Sequence, residues 1–235
     1  MSQLVLGLGH KARHGKDGFA RAIENYYGVL NAAILKHSVS RPVIVQRTAF
    51  ATALRKEANA WLVTPSGQEW IRQPEYGSYR VLGDPAFPLG RTIPDWVVPD
   101  PNPEISEQTP LGKHPKLLQW WGTEYRRTQD PAYWVKQWKA SINPQANIVL
   151  VTDMRFLNEA AAVKEQPDGY TVNLVRLNQS GTPYVDPSRP SNHPSEIELD
   201  GYNYDYAIQS KDAVLAGEFA ITLVHFLRAR AMKGK

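Results

Sequence analysis

The chain has 235 residues, 42% of them hydrophobic, 21% charged and 10% aromatic; this is room for one large domain, or one domain carrying an insertion, and it lies far from the composition of a disordered chain. It has no cysteine, which excludes disulfides, thiol nucleophiles and thiolate metal sites and suits a reducing cytoplasm. Net charge is +4, but residues 1–60 alone hold nine Lys/Arg against three acids, an asymmetry that fits a phosphate-bearing partner, either nucleotide or nucleic acid.

No apolar run approaches the roughly 20 residues of a membrane-spanning helix, and the start MSQLVLGLGHK lacks the basic opening and cleavage site of a signal peptide. The expectation is a cytoplasmic protein without a membrane segment. Residues 3–9, QLVLGLG, read as a strand buried on both faces, with a helix from Lys16 to Tyr27. Residues 42–47, PVIVQR, read as a second strand; Thr48 is placed to cap a helix with Phe50, Leu54, Ala58 and Trp61 at helical spacing.

Ten of the 18 prolines and five glycines lie between Pro65 and Pro115, so no long helix is expected there. Trp70, Tyr76, Tyr79, Phe87 and Trp96 argue for an irregular cap rather than a disordered linker. Helices are expected over 117–128 and 131–142, with Pro131 in a first turn, and then the clearest strand, 147–152, closed by Asp153. A helix over 157–165 and a strand over 170–177 follow. Residues 178–203 form a second polar, Pro-rich loop. A short strand at 206–209 leads to a C-terminal helix whose Leu215, Phe219, Leu223 and Phe226 make one apolar face. Strands separated by helices predict an α/β fold, a mainly parallel sheet with helices on both sides.

Lys16 is the first candidate for chemistry. It lies in Gly9-His10-Lys11-Ala12-Arg13-His14-Gly15-Lys16-Asp17, between a buried strand and a helix, where backbone N–H groups can surround phosphate oxygens and the lysine can reach them. The G-x-x-x-x-G-K-[ST] pattern is met imperfectly, with His10 at its first Gly and Asp17 at its Ser/Thr. His10 and His14 would face one metal only on a helix, which this Gly-rich stretch is not. Asp17 can hold Mg²⁺ directly or through water. Asp153, at the carboxyl end of its strand, can be the second acidic partner of Mg²⁺, or else it caps the next helix. Arg155 needs a partner, a phosphate or Glu159. In Leu117-Leu118-Gln119-Trp120-Trp121-Gly122-Thr123-Glu124-Tyr125-Arg126-Arg127 the Leu and Trp read as core, whereas Gln119 and Arg127 require another reason.

The set GHKARHGKDG, LLQWWGTEYRR with DPAYWV, TDMRFLNEA and HPSE at 193–196 resembles the deoxynucleoside monophosphate kinases of tailed bacteriophages, within the P-loop kinase superfamily. The resemblance covers most of the chain in order, leaving the Pro-rich insertion poorly matched. That family's loop reads Gly-x-x-x-x-Gly-Lys-Asp-Thr, so Asp17 fits it while His10 and Gly18 depart from it. The resemblance implies a P-loop kinase-like core over 1–64 and 116–235, an irregular cap over the acceptor site at 65–115, and a lid-like loop at 178–203.

It further implies Mg²⁺-dependent transfer of the γ-phosphoryl of ATP to a deoxynucleoside 5′-monophosphate. ATP would be held by Lys11, Ala12, Arg13, His14, Gly15, Lys16, Asp17 and Gly18, with Asp17 and Asp153 on the metal. Lys16, Arg13, Arg127 and Arg155 would carry the charge neutralisation that such transfer demands, and Asp153 joins them as a catalytic residue through the metal. The acceptor would be met by Arg55, Gln119, Glu124, Arg127, Arg155, Glu159, His193 and Glu196, and Asp130, Trp134, Asn158 and Ser195 match the family pattern as well. Arg176 and Arg189 flank or occupy the lid-like loop. The rival reading is a basic nucleic-acid-binding protein that stacks bases on exposed Trp and Tyr. Asp17 and Asp153 speak against it, because acids repel a DNA backbone, and no stable nucleic-acid complex is expected. The aromatic content suggests a homodimer.

Overall fold

The computed structural model describes residues 3–9, 15–37, 40–72, 79–80, 92–167, 170–179 and 192–233. In chain order the elements are β1 (Gln3–Gly9), α1 (Lys16–His37), β2 (Val45–Thr48), α2 (Ala51–Leu62), α3 (Pro65–Arg72), β3 (Tyr79–Arg80), β4 (Thr92–Ile93), β5 (Glu104–Ser106), β6 (Thr109–Lys113) and α4 (Pro115–Gln119). A π-helical segment (Trp120–Arg127) continues α4, followed by α5 (Tyr133–Ser141), β7 (Ile148–Met154), α6 (Leu157–Lys164), β8 (Tyr170–Gln179), α7 (Pro194–Ile197), β9 (Tyr206–Ser210) and α8 (Ala213–Lys233). They fall into two units, one of Met1–Phe50, Trp138–Asp186 and Pro190–Lys235, the other of Ala51–Gln137 and Pro187–Arg189.

The first unit is an α/β fold around a five-stranded sheet in the order β2-β7-β1-β8-β9. Every pairing in that sheet is parallel. β1 occupies its middle between β7 and β8, with Leu6 opposite Leu150 of β7 on one side and Asn173 of β8 on the other. Helices on both faces remove water from every side chain of a central strand, so QLVLGLG and IVLVTDM are apolar almost without interruption. On one face Leu4, Leu6, Leu8, Ile148 and Leu150 pack with Phe19, Ile23 and Tyr27 of α1 and Ala220, Val224 and Leu227 of α8.

α8 corrects the sequence expectation. Its inward side chains are Ala216, Ala220, Val224 and Leu227, whereas Leu215, Phe219 and Phe226 are 40%, 45% and 55% exposed. The helix carries two apolar stripes, and the one with small residues lets its axis come close to α1, where a Cβ on Gly217 would stand 3.1 Å from that of Ala22.

The main segment of the second unit is Ala51–Gln137. Residues 51–64 and 116–137, grouped from the sequence with the kinase core, therefore cluster with the Pro-rich stretch. The reason is one shared aromatic core: Trp61 and Leu62 of α2, Trp70 of α3, Leu117 of α4, Trp120, Trp121 and Tyr125 of the π-helical segment, and Trp134. Trp61 lies 5.7 Å from Trp70 and 5.8 Å from Trp121, centroid to centroid. In the wider π turn residues five apart share a side, and Trp120 and Tyr125 accordingly stack at 5.5 Å. Within the Pro-rich stretch the eight-residue α3 forms, and two short antiparallel pairs, β3-β4 and β5-β6, accompany it. No described helix is long and apolar enough to cross a membrane.

Candidate functional site

The carboxyl end of β1 and the start of α1 define the site. Lys11, Ala12, Arg13 and His14, with His10, lie outside the described residues, as does Arg189. At the site's edges stand two glycines with different reasons to be glycine. Gly15 has φ +78°, in the left-handed region that a side chain resists, and its carbonyl accepts the N–H of Phe19 at 2.9 Å to open α1. Gly9 is packed against Tyr204, whose hydroxyl would be 2.2 Å from a Cβ placed there. Gly18 lies in the first turn of α1 with open space around it.

Lys16, the first residue of α1, is only 7% exposed. Burial, reinforced by the Arg155 guanidinium, lowers its pKa from 10.5 to about 7 against the opposing pull of Asp17, Asp153 and Glu196. The fold thus gathers two cations and three carboxylates at one end of the sheet. The parallel register explains why: Gly9 pairs with Met154, so Asp153, the residue before it on β7, reaches the exit of β1.

Each of these groups is held by a specific neighbour. Asp153 Oδ1 accepts the backbone N–H of Phe50 at 2.7 Å, so it anchors the chain leaving β2 instead of capping the helix that follows it. That cap is supplied by Glu159, 2% exposed, whose Oε2 accepts the N–H of Arg155 at 2.8 Å and of Phe156 at 3.2 Å. Arg155 directs its guanidinium elsewhere, to the Glu196 carboxylate and the Ser195 carbonyl, the latter at 3.2 Å. Asp17 pairs with Arg47 of β2, which also stands 3.8 Å from Glu24. His193 caps α7: its Nδ1 faces Ser195 Oγ at 2.9 Å and accepts the Ser195 N–H at 3.2 Å. Asn158 sits in the first turn of α6. Arg47 and Tyr204 were missed by sequence reasoning. Arg47 has a weak signal, a basic residue at the end of a strand, whereas nothing in the sequence marks Tyr204.

Arg55, Gln119, Glu124 and Arg127 belong to the second unit. Arg55 donates to Gln108 Oε1 at 3.2 Å and Arg127 to the Pro131 carbonyl at 3.4 Å. Gln119 closes α4, and Glu124 lies in the π-helical segment. Trp134 donates its indole N–H to the Gly122 carbonyl at 2.9 Å, and Asp130 pairs with Lys136 at 2.7 Å. Glu57, read only as one of three acids near the N-terminus, proves to be the polar centre of this unit. Its carboxylate accepts from Trp121 Nε1 at 3.1 Å, Arg126 Nε at 2.9 Å and the Tyr133 hydroxyl. Burial and Glu57 together push the Tyr133 hydroxyl up to about 12.

Among the described residues no three His, Cys, Asp or Glu side chains converge as a ready metal cage. Mg²⁺ commonly takes one or two carboxylates, with waters and substrate phosphates completing its octahedron. Asp17 and Asp153, both close enough to Lys16 to act on its charge, fit that donor set. No protein-family model matches this chain, and no curated protein matches it.

Proposed function

We propose that this protein is a nucleotide kinase, which moves the γ-phosphoryl group of ATP to a deoxynucleoside 5′-monophosphate with Mg²⁺. The observation that carries the reading is Lys16, a buried lysine directly after a left-handed glycine at the start of the 22-residue α1, at the carboxyl edge of a parallel sheet. An α-helix N-terminus in that position offers unpaired N–H groups and the positive end of its dipole to phosphate. A desolvated lysine there gains from an arriving anion what it lost on burial.

In this reading Lys16 and Arg155 neutralise donor phosphate charge, and Glu196 with the Ser195 carbonyl aims Arg155. Asp17 and Asp153 would hold Mg²⁺, which would supply further positive charge against the phosphates. An acceptor phosphate oxygen forms the new bond to the γ-phosphorus while the bond to the β–γ bridging oxygen breaks, its electron pair leaving with ADP. Arg55, Gln119, Glu124 and Arg127 are assigned to the acceptor by the sequence resemblance. The carboxylates around Lys16 weigh against a DNA-binding role, since counterion release favours an unopposed row of cations.

The test is ADP release measured with ATP, Mg²⁺ and each common deoxy- and ribonucleoside monophosphate in turn. Transfer to at least one deoxynucleotide, lost in Lys16→Ala, supports the proposal. Wild-type turnover in that variant, or tight and salt-resistant DNA binding with no response to any monophosphate, overturns it.

A further inference from the structure

Arg47, Arg126 and Arg155 each end on a carboxylate. Arg55 of α2 does not. Half-buried, it forms no ion pair among the described residues, and its Nη1 donates to a neutral acceptor, Gln108 Oε1, at 3.2 Å. A carboxylate partner would cancel the charge, whereas an amide leaves it intact. The other edge of the guanidinium, made by Nε–H and one Nη2–H, has no acceptor among the described residues. That edge offers two parallel donors, the fork that matches two oxygens of one phosphate.

Gln108 is itself held in place. It lies at the tip of the β5-β6 hairpin, between Ser106 and Thr109, and its backbone carbonyl accepts from Asn59 Nδ2, one turn after Arg55 on α2. The turn is braced from within. Ser106 Oγ accepts the Thr109 N–H at 3.2 Å, the two hydroxyls meet at 2.7 Å, and Thr109 Oγ1 donates to the Glu104 carbonyl at 3.2 Å. Glu107, the neighbouring acid, is exposed and forms no ion pair among the described residues, so the hairpin sets its amide and not its carboxylate on Arg55.

We propose that Gln108 is a positioning residue, which fixes the Arg55 guanidinium so that its Nε and Nη2 edge receives the phosphate dianion of the acceptor monophosphate. The inference rests on the kinase reading above and extends it to the Pro-rich stretch, whose β5-β6 hairpin becomes part of the acceptor's binding surface. Holding a long arginine side chain before the ligand arrives lowers the rotamer entropy lost on binding. A neutral partner does this without competing for the charge.

Gln108→Glu separates positioning from mere support. A carboxylate of the same reach bonds Arg55 more strongly, so a contact that only fastens the hairpin to α2 would leave nucleotide binding as it is. Under the proposal the variant melts no lower than wild type yet binds the monophosphate more weakly, because carboxylate and phosphate compete for one guanidinium. Calorimetric titration of the full chain with each common deoxynucleoside monophosphate, without ATP or Mg²⁺, should show Kd raised about tenfold in Gln108→Ala and further in Gln108→Glu. In steady-state assays of Gln108→Ala the KM for the monophosphate should rise in step, while kcat and the KM for ATP stay within about twofold. In an Arg55→Gln background Gln108→Ala should add nothing. Wild-type affinity in Gln108→Glu, a further loss from Gln108→Ala in the Arg55→Gln background, or no binding of any monophosphate overturns the proposal. The titration needs no turnover, so binding that depends on Gln108 without phosphoryl transfer sinks the kinase reading alone, and transfer indifferent to Gln108 sinks this inference alone.

Discussion

Tyr204 occupies the space that a side chain on Gly9 would need: a Cβ there would lie 2.2 Å from the tyrosine hydroxyl and 2.7 Å from its ring. Burial also pushes that hydroxyl above the ordinary tyrosine range, with Arg176 opposing. The last residue of β1 is thus fixed by a ring from the segment leading into β9. Gly9→Ala should cost about 1–3 kcal/mol, the usual penalty of overpacking, read as a lower urea midpoint. Combining it with Tyr204→Ala should cost less than the two single losses added together, because the clash is gone.

Lys16 should separate function from stability. Its lowered pKa means that the folded chain holds this proton less tightly than the unfolded chain, so stability contributed at this position rises with pH from about 7 toward 10.5. Lys16→Met should flatten that part of the pH profile and leave the melting temperature at pH 7 unchanged or higher. The same shift predicts that Mg-ATP, arriving as an anion, draws a proton onto Lys16 above pH 7. Titration calorimetry at pH 8 in two buffers of different ionisation enthalpy should show proton uptake in the wild type and none in Lys16→Met.

His114, 2% exposed, accepts the Asp100 N–H on its Nδ1 at 3.0 Å and meets Trp70 edge-on at 5.3 Å. Burial holds its pKa below 6.5, so the unfolded chain takes up the proton first as pH falls. The stability due to the neutral ring is complete above pH 6.5 and is lost as pH falls through the lowered folded value. Denaturation midpoints at pH 7.5 and 5 should diverge in the wild type, and less so in His114→Gln.

Glu57 ties three donors together at the edge of the tryptophan core. Glu57→Ala leaves Arg126 half-buried without that carboxylate, although its guanidinium still lies 5.0 Å from the Tyr125 ring and 4.9 Å from Tyr133. The expected loss is about 2–4 kcal/mol, between the cost of breaking a buried pair and the small worth of a surface one. Tyr133→Phe should cost about 1 kcal/mol, with both losses seen in the fluorescence of the tryptophan core during urea unfolding.

Central strands and the lysine after β1 were legible from residues alone, since a strand covered on both faces has to be apolar throughout, and a Gly-Lys pair following such a strand opens a helix at the sheet's carboxyl edge. The aromatic bulk of the 120–134 region was legible as core for the same reason: Trp121 and Trp134 have nowhere drier to go. Partnerships were not legible. That Asp17 faces Arg47, that Arg155 chooses Glu196 over Glu159, and that Asp153 secures Phe50 depend on which strand lies beside which, and the order β2-β7-β1-β8-β9 is a property of the assembled sheet. α8 shows the limit most plainly. Its period announces a helix with Leu215, Phe219 and Phe226 in line, but two apolar stripes satisfy the same period. The choice between them was made by the close approach of α1, which admits alanines and excludes phenylalanines.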